Sequence, residues 1–371
     1  MKYLFILGRN IELSKAEVLS YFKKEGNPIL KNSLKNNGLL IEIKNFINPK
    51  IIDYFGGVLA IGEIIVEGKF NELSGKLDKE MIYMGEKNKL NYVIWNFSDN
   101  YEFIQNYLKN RFKEEKLKST EKHLTGSIKM QDGEKFEIPS SKLLNEEYFL
   151  FGKEDFEYFG KIISHCDYES LEKRDMEKPV RRESLAIAPR LAKIMINLAG
   201  LKKEDKLLDP FCGVGTILQE GLLQGMTAVG VDRDEKAIKG AKENMKWFEF
   251  SQEDYELIAF DSTKVNIPEV SGVATEPDLG EILKKIPTKS KAEKTMKDFE
   301  KLIIQVINNI KENVQGKIVF TSPYIRIGKK RLACDIENIL ERTGYKLVEK
   351  GIPEFRENQV VGRMIWVLER N

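Results

Sequence analysis

Residues 206–218 read KLLDPFCGVGTIL, and this stretch decides the fold of the surrounding chain. An apolar strand runs into Asp209, a turn carries Gly213 and Gly215, and Thr216 opens an apolar helix. Glycines at such a turn let the backbone approach a ligand closely. A dinucleotide fingerprint asks for a third glycine and a pyrophosphate over the helix N-terminus. Here two glycines follow an acid at the strand end. Asp209 would repel a phosphate, but it would pair with the α-amino group of a methionine moiety. The turn therefore points to S-adenosylmethionine as cofactor, with Asp209, Phe211, Gly213, Gly215 and Thr216 as its contacts, and makes a dehydrogenase the weakest reading.

Downstream, TAVGVDRD (227–234) is a second strand ending at Asp232 and Arg233, 23 residues after Asp209. A carboxylate there can accept both hydroxyls of a ribose. A third strand, YELIAFDS (255–262), ends at Phe260, Asp261 and Ser262, where the acid or its neighbour would meet an adenine amino group. Acids at the ends of three successive strands line one crevice. Helices alternate with these strands, at APRLAKIMINLAG (188–200), TILQEGLLQG (216–225) and DEKAIKGAKENMKWF (234–248). The alternation continues through GVATEP (272–277), KTMKDFEKLIIQVINNIKENV (294–314), GKIVFTSP (316–323) and LACDIENILERTG (332–344). It closes on YKLVEKG (345–351) and GRMIWVLER (362–370) with no helix between them. Such alternation predicts an α/β fold, a parallel sheet with right-handed crossovers, and a terminal antiparallel hairpin at its edge.

The first half reads differently. KYLFILG (2–8), GLLIEIK (38–44), AIGEIIVEGKF (60–70), NYVIWNF (91–97), SIKM (127–130) and YFLFG (148–152) are predicted strands. Helices are predicted at AEVLSYFKKEG (16–26), behind a cap at Ser14, and at YEFIQNYLKNRFKEEKL (101–117). This is an α+β pattern. The charged stretch HCDYESLEKRDMEKPVRRES (165–184), with Pro179 and no clean period, reads as part of a linker. The predicted organisation is an N-terminal region 1–155, a linker 156–183 and a cofactor-binding domain 184–371.

The series DPFCGVGT (209–216), GVDRD (230–234), AFDST (259–263) and TEPDLG (275–280) resembles the archaeal and eukaryotic tRNA guanine-N2 methyltransferases. The resemblance covers residues 155–371 by motif and the first half by size and pattern alone. It implies a seven-stranded, Rossmann-like class I methyltransferase domain preceded by a smaller α+β, THUMP-like RNA-binding region. It also implies a tRNA substrate and methyl transfer to an exocyclic base nitrogen. Members of that family usually carry Asp or Asn, then Pro-Pro, then an aromatic ring that stacks on the extruded base. Here those positions read Glu276, Pro277, Asp278 and Leu279. The acceptor is retained in longer form, the turn keeps its proline, and the ring, worth roughly 1–3 kcal/mol per stacked base, is absent. Glu276 and Asp278 would receive the proton released when an amine is methylated. A candidate substitute for the ring is FTSPYIRIGKKRLACD (320–335), where Tyr324 and Arg326 precede Lys329, Lys330 and Arg331.

Composition sets the outer limits. With 371 residues, 42% hydrophobic and 32% charged, the chain is long enough for two soluble globular domains. The apolar run at the N-terminus is too short for a signal core or membrane span, so a cytoplasmic location is expected. Three scattered cysteines and two histidines support neither a disulfide framework nor a metal site. The net charge of +2 is uninformative, but residues 108–130 hold seven Lys or Arg against three acids, which suits phosphate contacts as well as a solvated helix face. Two further readings stay open: a DNA amino-methyltransferase, and a paralogue that binds cofactor and RNA without turnover. The sequence does not say whether a partner subunit takes part.

Overall fold

A computed structural model describes residues 1–124, 126–131, 133–139, 143–182, 187–280, 283 and 285–371. The chain opens with β1 (Lys2–Leu7) and α1 (Ile11–Lys24), and it divides into two compact units. The first comprises Met1–Ile11, Asn27–Asp53 and Val58–Cys166; the second comprises Glu12–Gly26, Tyr54–Gly57 and Asp167–Asn371. The division is therefore not the predicted one. Almost all of α1 belongs to the second unit, because Leu13 and Ala16 join an apolar cluster with Ile194, Leu198 and Val319. The helix also begins at Ile11, so Ser14 lies buried inside it and is not its cap.

The first unit contains β2 (Lys31–Lys35), β3 (Gly38–Glu42), β4 (Val58–Lys69), α2 (Phe70–Leu77) and β5 (Lys89–Phe97). It continues with α3 (Tyr101–Glu114), β6 (Lys118–Glu121), β7 (Gly126–Lys129), β8 (Lys135–Ile138), β9 (Glu146–Lys153) and β10 (Phe156–His165). Among the described residues eight of these strands form a sheet in the order β2-β3-β1-β4-β10-β9-β5-β6, and β7 pairs with β8. β9 is apolar on both faces: Tyr148 and Leu150 enter one core cluster, Phe149 and Phe151 another. The predicted linker 156–183 is replaced by structure, since Phe156–His165 is a ten-residue strand paired with β4 and β9. Its buried positions Glu157, Phe159, Gly160 and Ile162 change parity midway, and one of them is charged, so they do not read as apolar alternation. The predicted domain start at 184 lies outside the described residues.

The second unit adds α4 (Tyr168–Met176), α5 (Pro189–Leu198), β11 (Lys206–Asp209), α6 (Thr216–Leu223), β12 (Thr227–Asp232), α7 (Glu235–Trp247), β13 (Tyr255–Ala259) and β14 (Gly272–Thr275). After them come α8 (Lys289–Ile310), β15 (Ile318–Ile327), β16 (Lys330–Leu332), α9 (Ile336–Thr343), β17 (Tyr345–Leu347), β18 (Ile352–Glu354) and β19 (Val361–Arg370). The sheet runs β13-β12-β11-β14-β15-β19-β17, parallel from β13 to β15 and antiparallel beyond. Seven strands are predicted; nine are present among the described residues. One extra strand, β18, pairs with the same β19 that receives β17, as one interrupted strand would. The other corrects a predicted loop: the chain continues past Pro323 as strand, turns at Gly328 with φ +58°, and returns as β16.

Alternating residues place a core on each face of this sheet. Leu208, Val273 and Phe320 pack with Met296, Phe299 and Ile303 of α8, whereas Leu207, Ala274 and Val319 pack with Ile194 and Met195 of α5. Caps fix where the helices start. Asp234 accepts from Lys236 N at the head of α7, and Thr288 accepts from Lys291 N at the head of α8. Among the described residues no helix is long and apolar enough to cross a membrane.

Candidate active site

The carboxyl ends of β11, β12, β13 and β14 open on one cavity of about 560 Å³. Parallel strands bring their terminal residues to one side of a sheet, where open α/β folds bind ligands. Asp209, Phe211, Gly213, Thr216, Asp232, Arg233, Asp261, Ser262, Glu276, Pro277 and Asp278 all line it. Gly215 is set back from the wall. It caps α6 at φ +86°, a left-handed conformation in which a side chain would be strained.

Asp209 is 2% exposed, and its Oδ1 accepts from Phe211 N at 3.0 Å and from Thr275 Oγ1 at 2.6 Å. Burial pushes this carboxyl up to about 7, against the pull of the Thr275 and Phe211 bonds and with the nearby Asp232 and Glu276 adding to the rise. Asp232 sets the glycine turn: its Oδ2 accepts from Gly213 N at 2.9 Å and its Oδ1 from Asp234 N at 2.9 Å. Gly213 is at φ +52°, and a Cβ placed on it would meet nothing within 4 Å. The backbone there borders open space, as a ligand cradle requires.

At the third strand end both predicted residues line the cavity and also bond within the loops there. Asp261 is exposed, and its Oδ1 accepts both the amide (2.9 Å) and the hydroxyl (2.8 Å) of Thr263, which hold its pKa below the usual carboxylate range. Ser262 is buried and donates its hydroxyl to Pro210 O, tying the third loop to the first. Both side chains are thus partly engaged in holding their own loops.

At the fourth strand end the structure brings in a residue the sequence did not single out. Arg363 of β19 engages Glu276 with Nε and, at 3.2 Å, with Nη2, while Thr321 Oγ1 donates to the same carboxylate at 3.4 Å. Burial works against the guanidinium charge, but Glu276 and the nearby Glu354 outweigh it, so its pKa is raised. Asp278 stands exposed, with Oδ1 accepting from Gly280 N at 3.0 Å. No motif marks an arginine on an edge-side strand as part of a cavity. Lys178 was likewise hidden in the supposed linker: it is buried and donates to Thr216 Oγ1 at 3.0 Å.

Of the surface expected around Tyr324, Lys329 and Lys330 are exposed, whereas Tyr324 and Arg331 are tied to each other and to neighbouring backbone. The Arg331 guanidinium lies 4.3 Å over Phe355 and 5.6 Å over Tyr324, and it donates to the carbonyls of Tyr324, Gln359 and Val360. Those contacts leave this pair as a cross-link between β16 and the segment before β19. Among the described residues no cluster of His, Cys, Asp or Glu could hold a metal ion.

A family model described as RMKL-like, methyltransferase domain matches residues 179–309, and a DNA methylase model matches residues 18–243. A tRNA (guanine(10)-N2)-dimethyltransferase of Methanothermobacter thermautotrophicus is 30% identical over 186 residues, covering 50% of this chain and 49% of the relative. A protein of Methanothermococcus thermolithotrophicus described as "probable tRNA (guanine(10)-N2)-dimethyltransferase" is 30% identical over 142 residues, 36% of this chain and 79% of the relative. The alignment with the Methanothermobacter relative thus spans about half of that protein's length. Among solved structures, TrmN from Thermus thermophilus aligns over the whole of both chains with a TM-score of 0.55 and 13% identity, a likeness of fold. The chain belongs to the methyltransferase family that these matches define, with the tRNA (guanine(10)-N2)-dimethyltransferases among its curated relatives.

Proposed function

We propose that the protein is an S-adenosylmethionine-dependent tRNA methyltransferase acting on the exocyclic N2 amine of a guanosine. The observation that carries this reading is one cavity that collects the acids of four strand ends, among them a buried carboxyl, Asp209, and an acid held by arginine, Glu276. Its volume suits a nucleoside-sized cofactor, and the open space beside Gly213 suits a backbone that cradles one.

S-adenosylmethionine, when bound, supplies an electrophilic methyl group on a sulfonium sulfur. Asp209 receives the cationic amino group of its methionine end, and Asp232 accepts from the ribose hydroxyls while its two amide bonds keep the carboxylate in place. Arg233, Asp261 and Ser262 border the adenine end. Glu276 accepts from the target amine and holds it toward the methyl group, and Pro277 stiffens the turn. Asp278, exposed at the rim, passes the released proton to water. The first unit, with the lysines of residues 108–130, contacts the RNA backbone as a THUMP-like region would. The compartment of this reaction is the cytoplasm.

The DNA methylase match over residues 18–243 favours a second reading, transfer to an adenine or cytosine amine in DNA. Incubation with labelled S-adenosylmethionine and either unmodified tRNA transcripts or duplex DNA, followed by nucleoside mass spectrometry, separates the two. N2-methylguanosine in RNA is expected. Label confined to DNA, or none in any nucleic acid, overturns the reading.

A further inference from the structure

We propose that Glu276 and Arg363 together read the Watson–Crick edge of the target base, and that Arg363 thereby selects guanine; this rests on the methyl-transfer reading of the cavity given above. Glu276 follows β14 and Arg363 stands on β19, with β15 between them in the sheet. The ion pair bridges that strand, and both residues line the cavity. Thr321 of β15 donates to the carboxylate beneath the bridge, and Glu354 of β18 stands opposite Arg363 in register. Glu276 and Arg363 are mostly buried, their side chains being 10% and 22% exposed.

A charge pair held in a cavity wall is a weak device for stability, because desolvation offsets most of its Coulomb attraction. It is, however, a specific surface for a ligand. A carboxylate offers two acceptor oxygens and no donor, whereas a guanidinium offers donors and no acceptor. Read in order, the edge of guanine presents N2–H and N1–H, two donors, and then O6, an acceptor. The carboxylate complements the first two and the adjoining guanidinium the third.

Adenine and cytosine present a ring-nitrogen acceptor beside their amine, so the same carboxylate would face a lone pair and reject them. Selection of this kind works by repulsion as much as by attraction. It needs no aromatic platform, and Leu279 lines the same cavity as the pair.

The test uses 2-aminopurine, which keeps the N2 amine but has neither O6 nor N1–H. The methylated position is first mapped on unmodified tRNA transcripts, and matched transcripts are then made with guanine or 2-aminopurine there. For the unaltered protein, kcat/KM should favour guanine by about 50-fold or more, since a site built to hydrogen-bond a group rejects the analogue lacking it. In Arg363→Met that ratio should fall by about tenfold or more, and Arg363→Lys, which keeps the charge but loses the fork, should lie between. A ratio near one for the unaltered protein overturns the inference without recourse to any variant. Equal loss on both bases in both variants also overturns it, as the sign of a merely structural arginine. No methylation of any transcript by the unaltered protein contradicts the methyltransferase reading itself.

Discussion

Asp209 is the residue on which the proposed cofactor site turns, because it is a buried acid whose bonds described above include no cation. Its pKa, raised to about 7, means that the folded chain keeps a proton which the unfolded chain releases near the ordinary carboxylate value. Between those two values the folded state binds more protons, so this group's contribution to stability is present at acid pH and lost as pH rises through about 7. The ligand-free protein should therefore lose thermal stability relative to Asp209→Asn between pH 5 and pH 8. We expect the gap in Tm to shift by about 3 °C or more across that window. Thermal unfolding of both proteins at several pH values checks it, and a gap independent of pH contradicts the environment assigned to Asp209. At the same scale, the glycine turn was legible because its chemistry is local: an acid, two glycines and a strand-to-helix switch lie within 13 residues. Arg363 was illegible for the opposite reason. Its partner Glu276 is 87 residues away, and nothing in GRMIWVLER distinguishes an arginine aimed at a cavity from one on a solvated strand.

Among the elements, α1 shows how a helix can belong to a unit other than the one its position in the sequence suggests. Glu17 on its buried face is fully enclosed, and its two oxygens accept from Gly56 N and Gly57 N at 2.8 Å each, and from Asn197 Nδ2 at 2.8 Å. Burial raises its pKa while those donors and Lys193 oppose the rise. One side chain thus joins α1, the turn at Tyr54–Gly57 and α5, and Arg190 Nε adds a bond to Gly56 O. Glu17→Ala should destabilise the second unit by about 2–4 kcal/mol, since it strands several buried donors at once. Chemical denaturation measures this; a loss below about 0.5 kcal/mol contradicts the role given to Glu17. The periodicity of AEVLSYFKKEG announces an amphipathic helix, but an apolar stripe does not say which core it will meet. The strands of the second unit were easier to read, because their β-α alternation carries the topology with it. β10 and β18 were not: the first is masked by its charged neighbours, and the second is three residues long.

At the scale of the whole molecule, the second unit is assembled from three separate stretches of chain, of which the last, Asp167–Asn371, holds the entire cavity lining. A fragment limited to 167–371 keeps every residue of the proposed site but lacks α1 and the Tyr54–Gly57 turn. It exposes the apolar surface that Leu13 and Ala16 cover and leaves Asn197 without Glu17. We expect that fragment to be less stable than the same unit in the full chain and more readily cut by protease, as judged by limited proteolysis of the two side by side. Equal resistance contradicts the three-part assembly.

In the proposed function Asp209 and Asp232, at the ends of adjacent parallel strands, grip the two halves of one sulfonium cofactor in a single cavity. Calorimetric titration with S-adenosylhomocysteine, for the full chain and for Asp209→Ala and Asp232→Ala, tests it most directly. One molecule should bind per chain, with the dissociation constant raised by about 30-fold or more in each variant, the scale expected when a charged partner in a binding site is removed. Absence of binding to the unaltered chain, or variants that bind as tightly as it does, would contradict it.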